Sequence, residues 1–271
     1  MFKKMVLLQK ITFLQISLLL LYACATVPIS GRQQLDLVSN PEITLMAAQQ
    51  YQQVLKENKL SDNKEETALI KRAGARIQRA VEQYMSDAGL ASQLEGFNWE
   101  FNLIQDDKTV NAWCMPGGKV AFYTGILPVC KDENGVAVVM GHEIAHAIAN
   151  HGRERMSQGL VENGLLSSLS AALGQNPTLT QQIFLQAVGA GANIGMLKFS
   201  REQESEADHI GLIFLAKAGY DPNEAPEFWG RMVAMSKSEK PPEWLSTHPS
   251  DQSRIQALKG WIPEALKYYR K

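Results

Sequence analysis

The stretch from Gly135 to Met156, GVAVVMGHEIAHAIANHGRERM, constrains this chain more than any other. It holds His142, Glu143 and His146 in the pattern His-Glu-x-x-His. At 3.6 residues per turn, positions i and i+4 share one face, so both imidazoles project the same way. Val136, Val138, Val139, Met140, Ile144, Ala145, Ala147 and Ile148 cover nearly all the remaining surface, which predicts a buried helix. Zinc gives such a helix its reason. Two neutral imidazoles supply nitrogen ligands, and Glu143 stands between them to take a proton from an attacking water.

His151 lies five residues past His146, about 140° round a continuous helix, and is expected to face elsewhere. The longer pattern, with a third histidine six residues after the second, is absent because that position is Gly152. A third ligand must come from another part of the chain. The stretch SREQESEAD, Ser200 to Asp208, opens a second helix with Ser200 as its N-cap. Its four acids cannot all be ligands. Glu204 and Asp208 are i and i+4 on the face shared with Gly211 and Leu215, so they point inward. An inward Glu204 completes a His-His-Glu set, and an inward Asp208 can hold a ligand histidine through its other ring nitrogen.

The 271 residues, 45% of them apolar, suffice for one large domain with appendages. Residues 1–23 are expected to be a secretory signal: Lys3, Lys4 and Lys10 precede an apolar run that ends at Leu21-Tyr22-Ala23-Cys24. The cysteine after Ala23 resembles a bacterial lipobox, which would make Cys24 a lipidated N-terminus; an uncleaved anchor or an ordinary signal are the alternatives. Ala25 and Thr26 follow it, with no aspartate, which resembles the outer-membrane sorting default of Gram-negative lipoproteins. Removing the three lysines of that segment leaves 24 basic against 28 acidic residues, a net of −4, and nothing suggests a nucleic-acid surface. Secretion would leave Cys114 and Cys130 free to pair, or equally to stay as two buried thiols.

Along the chain, residues 24–39 read as an extended tether carrying a domain that spans 40–271. Asn40-Pro41 starts a helix to about Glu57, and Asn63 to Met85 forms another. Phe97 to Ile104 alternates as a strand. Val110 to Met115 and Val120 to Tyr123 form two more around Pro116-Gly117-Gly118, either an edge for an extended peptide or an ordinary hairpin. Gln158 to Lys198, broken by Pro177, reads as two amphipathic helices, as core packing or as a lid. A helix over Asn223 to Met235 follows. His248, held before Pro249, either aims at the metal site or caps the helix from Asp251 to Trp261, which contains Arg254.

Four motifs in this order carry a resemblance: His142-Glu143-x-x-His146; Ser200-Arg201-x-x-Glu204-x-x-Ala207-Asp208; Asn111-Ala112-Trp113 before Pro116-Gly117-Gly118; and Thr247-His248-Pro249 with Arg254. Together they resemble the zinc metallopeptidase family that includes HtpX, the type I CaaX prenyl protease and the mitochondrial overlapping-activity protease, in its secreted bacterial lipoprotein branch. The resemblance implies an α+β, mostly helical, zincin-like domain with a small mixed sheet beside the active-site helix. It implies one Zn²⁺ per chain on His142, His146 and Glu204, the gluzincin arrangement, with Glu143 as general base and acid. Asp208 would support a ligand histidine. His248 and Arg254 would stabilise the oxyanion, or His248 would reach the metal in a resting state.

The expected activity is ATP-independent endoproteolysis of misfolded or damaged periplasmic and outer-membrane proteins, on the periplasmic face of the outer membrane. Expected partners are unfolded envelope polypeptides, the membrane through the N-terminal lipid, and the outer-membrane protein assembly machinery. Two alternatives stand beside it: an assembly factor with a chaperone-like role and an occluded zinc site, and a zinc hydrolase acting on a non-protein amide.

Overall fold

The computed structural model describes residues 24–162, 177–188, 199–235, 244–248 and 252–269. The expected signal segment 1–23, the 163–176 and 189–198 parts of the expected two-helix stretch, and Pro249 lie outside them.

A short antiparallel hairpin opens the described chain, β1 (Cys24–Thr26) with β2 (Gln33–Leu35). The region expected to be an extended tether is therefore folded, and Val27 and Val38 are buried against the domain. Helix α1 (Asn40–Glu57) begins after Ser39, with Pro41 in its first turn where a missing N–H costs nothing. Helix α2 (Lys64–Asp87) is capped by the Asn63 side chain, which accepts from the N–H groups of Glu65 and Glu66.

Three strands form a mixed sheet in the order β3-β5-β4. The first, β3 (Glu100–Ile104), runs parallel to β5 (Lys119–Tyr123), and β4 (Ala112–Met115) pairs antiparallel with β5. Gly117 and Gly118 make the β4–β5 turn with φ of +81° and +78°. That left-handed backbone suits glycine, and a Cβ on Gly118 would also strike the Trp99 ring. Every residue of β5 is buried, because both sheet faces are covered. Leu103, Val120 and Phe122 face the main core with α2, whereas Ile104, Ala121 and Tyr123 join Tyr51 of α1 in a second cluster.

The remaining elements are helical: α3 (Leu127–Cys130), α4 (Glu133–Ile148), α5 (His151–Glu162), α6 (Pro177–Val188), α7 (Arg201–Lys217), α8 (Glu224–Met235), α9 (Trp244–Thr247) and α10 (Gln252–Ala265). The domain is α+β and mostly helical, as expected. Among the described residues no helix is long and apolar enough to cross a membrane. Helix α6 places Ile183 and Phe184 in the second cluster with Met156 and Leu160 of α5. Neither Cys114 nor Cys130 is in a disulfide.

Candidate metal centre

Helices α4 and α7 make the site by touching backbone to backbone. A Cβ on Gly211 would lie 3.0 Å from backbone atoms of Gly141 and His142, and one on Gly141 would lie 3.0 Å from the Gly211 carbonyl oxygen. Two glycines at the crossing let the helices approach as side chains elsewhere would not allow. The crossing sits beside His142, so the faces carrying His142 and His146 meet the face carrying Glu204 and Asp208. Ser200 starts α7 with a full capping box, in which Gln203 returns a bond to the Ser200 N–H.

The ring nitrogens converge. His142 Nε2 lies 3.1 Å from His146 Nε2 and 3.2 Å from His248 Nδ1. Glu204 Oε1 lies 2.8 Å from His248 Nδ1 and 3.4 Å from His146 Nε2. One donor atom from each of these four residues falls within 4.8 Å of all the others, and all four residues are buried. The group fits a metal. Two nitrogens on a tetrahedral zinc at about 2 Å would be roughly 3.3 Å apart, close to the spacing seen, and so many inward lone pairs repel one another without a cation.

The charge states of His146, Glu204 and Asp208 suit such an ion, which needs neutral imidazole and ionised carboxylate, whereas at His248 the neighbouring Glu204 and Glu143 outweigh burial and raise the imidazole above its usual range. Burial holds His146 well below the usual histidine range. Burial would raise Glu204, but the neighbouring His248 and Arg254 outweigh it and keep the carboxyl well below its ordinary value. Asp208 behaves alike: Arg254 and His142 overcome its desolvation and lower it. Among these carboxyls Glu143 is the exception. Burial pushes it up despite His248 and His142, so a proton is held more readily there than on an exposed glutamate.

Glu143 is steered by a residue the sequence did not disclose: the Trp244 indole N–H donates to its Oε1 at 2.8 Å. Trp244 stacks on Trp229 at 4.8 Å between centroids. His248 Nε2 reaches the same Glu143 oxygen at 3.4 Å, so His248 spans from general base to ligand cluster. Of its two open readings, aiming at the metal set is the one the geometry takes. Arg254 differs from its expected oxyanion role. Its Nε and Nη2 donate to Asp208, Nη1 lies 2.7 Å from Glu204 Oε2, and its guanidinium covers the Trp229 ring. Those donors are committed to the ligand Glu204 and to Asp208 behind His142.

His151 does not face elsewhere. Helix α4 stops at Ile148, and Asn150 takes a left-handed φ of 58°. The chain turns and α5 starts at His151, whose Nδ1 returns to 2.7 Å from His146 Nδ1. Phe199 stacks on His146 at 3.9 Å and closes that side.

With that geometry in place, the chain matches the profile of Peptidase family M48 over residues 71–262. It is 34% identical over 242 residues to the mitochondrial metalloendopeptidase OMA1 of Schizosaccharomyces pombe, covering 88% of this chain and 66% of that one. It is 29% identical over 246 residues to the Homo sapiens metalloendopeptidase OMA1, covering 89% and 46%. Identity to the beta-barrel assembly-enhancing protease of Escherichia coli is 32% over 163 residues, covering 58% and 33%. The chain belongs to peptidase family M48, a family of metalloendopeptidases, and it spans from a third to two thirds of the length of these relatives.

Proposed function

We propose that this chain is a zinc-dependent, ATP-independent endopeptidase of the bacterial cell envelope, acting on misfolded or damaged periplasmic and outer-membrane proteins. The observation that carries the reading is the convergence of His142, His146 and Glu204 beside a buried Glu143. Zinc, when bound, supplies the Lewis acidity that polarises a scissile carbonyl. His142, His146 and Glu204 would hold it. Glu143, oriented by Trp244, takes the proton of the attacking water and returns it to the leaving amine. Asp208 accepts from His142 Nδ1 across 3.1 Å and so turns the other nitrogen inward, while Arg254 positions both Asp208 and Glu204. Strand β4 lies against α4 at the sheet edge, where an extended substrate can add by backbone hydrogen bonds.

The same reading has residues 1–23 as a cleaved signal, Cys24 as the lipidated residue, the periplasmic face of the outer membrane as the location and 40–271 as the peptidase domain. Unfolded envelope polypeptides and the assembly machinery are its partners. The name of the Escherichia coli relative supports that last point. A second reading, an assembly factor whose zinc site is normally occluded, draws on His248: its Nδ1 occupies a fourth place in the ligand cluster, where a water or a substrate carbonyl would otherwise stand.

Casein hydrolysis tests the first reading. Zinc-loaded wild type should cleave it, and a chelator or Glu143→Gln should abolish cleavage. A wild type that is inert while His248→Ala is active would favour the occluded site. Inert zinc-loaded wild type and His248→Ala would contradict endoproteolysis.

A further inference from the structure

The outer nitrogen of His146 leads, through two further side chains, to the hairpin at the start of the described chain. His146 Nδ1 meets His151 Nδ1 at 2.7 Å, and His151 Nε2 meets Glu206 Oε2 at 2.9 Å. Glu206 in turn accepts from the Arg32 Nε at 2.9 Å and from the Ser30 hydroxyl. Arg32 also grips Glu154 in a two-pronged bond, 2.8 Å on each prong, and the Gln203 amide donates to the same Glu154 at 2.8 Å. His151 is fully buried, and Glu154 and Glu206 are nearly so.

The order of donors along this chain is fixed from its ends. Glu206 as a carboxylate can only accept, so His151 carries its proton on Nε2 and leaves Nδ1 as an acceptor. His146 must then donate from Nδ1, which leaves the Nε2 lone pair pointing at His142, Glu204 and His248. That is the tautomer a metal ligand needs. Reversing any one member would leave two donors or two lone pairs face to face at 2.7 Å.

We infer that His151 and Glu206 are positioning residues for the metal ligand His146, and that Arg32 and Ser30 make the N-terminal hairpin a working part of the metal centre. The inference rests on the proposed metal site. The segment that leaves Cys24 is thus not a passive spacer: eight residues past that cysteine, Arg32 fixes the carboxylate that sets the orientation of a ligand ring.

The test is competitive chelator titration of Zn²⁺ into the full chain, together with the visible spectrum of the Co²⁺-loaded protein, which reads ligand geometry. His151→Phe keeps an aromatic ring, somewhat larger, and removes both polar atoms; it should lose about 10–100-fold in metal affinity and shift the Co²⁺ bands. His151→Asn, which keeps an acceptor near Nδ1, should recover part of that loss, whereas a purely space-filling role would favour Phe. Arg32→Gln, which keeps a polar side chain but loses the charge and the fork, should lose several-fold and shift the bands in the same direction. Wild-type affinity and an unshifted spectrum in folded His151→Phe would overturn the inference and leave the metal site standing. The same null result in Arg32→Gln would remove the hairpin from it. A wild type that bound neither ion would bring down both.

Discussion

The two ligand histidines are held in opposite ways. His142 is supported within a few residues of the motifs themselves: its Nδ1 faces Asp208, which Arg254 grips, and all three are buried between α4, α7 and α10. His146 is supported at a distance, through His151 and Glu206 to a hairpin more than a hundred residues earlier in sequence. The first support is part of the core and forms with it. The second depends on a three-residue strand pair docking onto that core, so it can be loosened while the domain stays folded.

The sharpest way to break the comparison is to remove each support in turn. Asp208→Ala removes one of the two carboxylates that hold the buried Arg254 guanidinium, leaving Glu204 alone, and should cost about 1.5–3 kcal/mol, seen as a drop in the melting temperature together with loss of bound metal. The shared crossing comes next. Gly211→Ala drives a methyl to 3.0 Å from the Gly141 backbone and should cost about 1–3 kcal/mol, with metal affinity falling on both sides at once. Glu154→Gln weakens the grip on Arg32 and should cost about 1–2 kcal/mol. Its signature is selective: limited proteolysis within residues 24–38 should speed up while the melting of the domain barely moves. Equal proteolysis in variant and wild type would mean that the hairpin is held by Val27 and Val38 alone.

The smallest effect belongs to a cluster remote from both supports. Burial acts to raise Glu133, but bonds from Tyr220 and Arg72 outweigh it and hold its carboxyl below the ordinary value. A depressed folded-state value stabilises above the unfolded carboxylate range and is lost as pH falls through the folded one. Glu133→Gln should therefore flatten the acid limb of a stability–pH curve slightly and leave metal affinity unchanged.

The same contrast explains what the sequence disclosed. Spacing alone identifies His142, Glu143, His146, Glu204 and Asp208, because helical periodicity converts i and i+4 into a shared face. His151 departs from its expected direction because periodicity holds only while the helix continues. Asn150, a residue that tolerates left-handed backbone, was the available sign that it stops. Glu206 is two residues from Glu204 and so faces away from it. What it meets there, Ser30 and Arg32, no local pattern could supply. Trp244 was invisible for a like reason: its partner Glu143 lies 101 residues upstream.

Zinc content of the purified chain, read by native mass spectrometry under chelator competition, tests the central convergence most directly. Wild type should hold one zinc per chain, and folded Glu204→Gln should lose it at chelator concentrations that wild type withstands. A folded wild type without metal, or a Glu204→Gln chain that keeps zinc as tightly as wild type, would contradict the account.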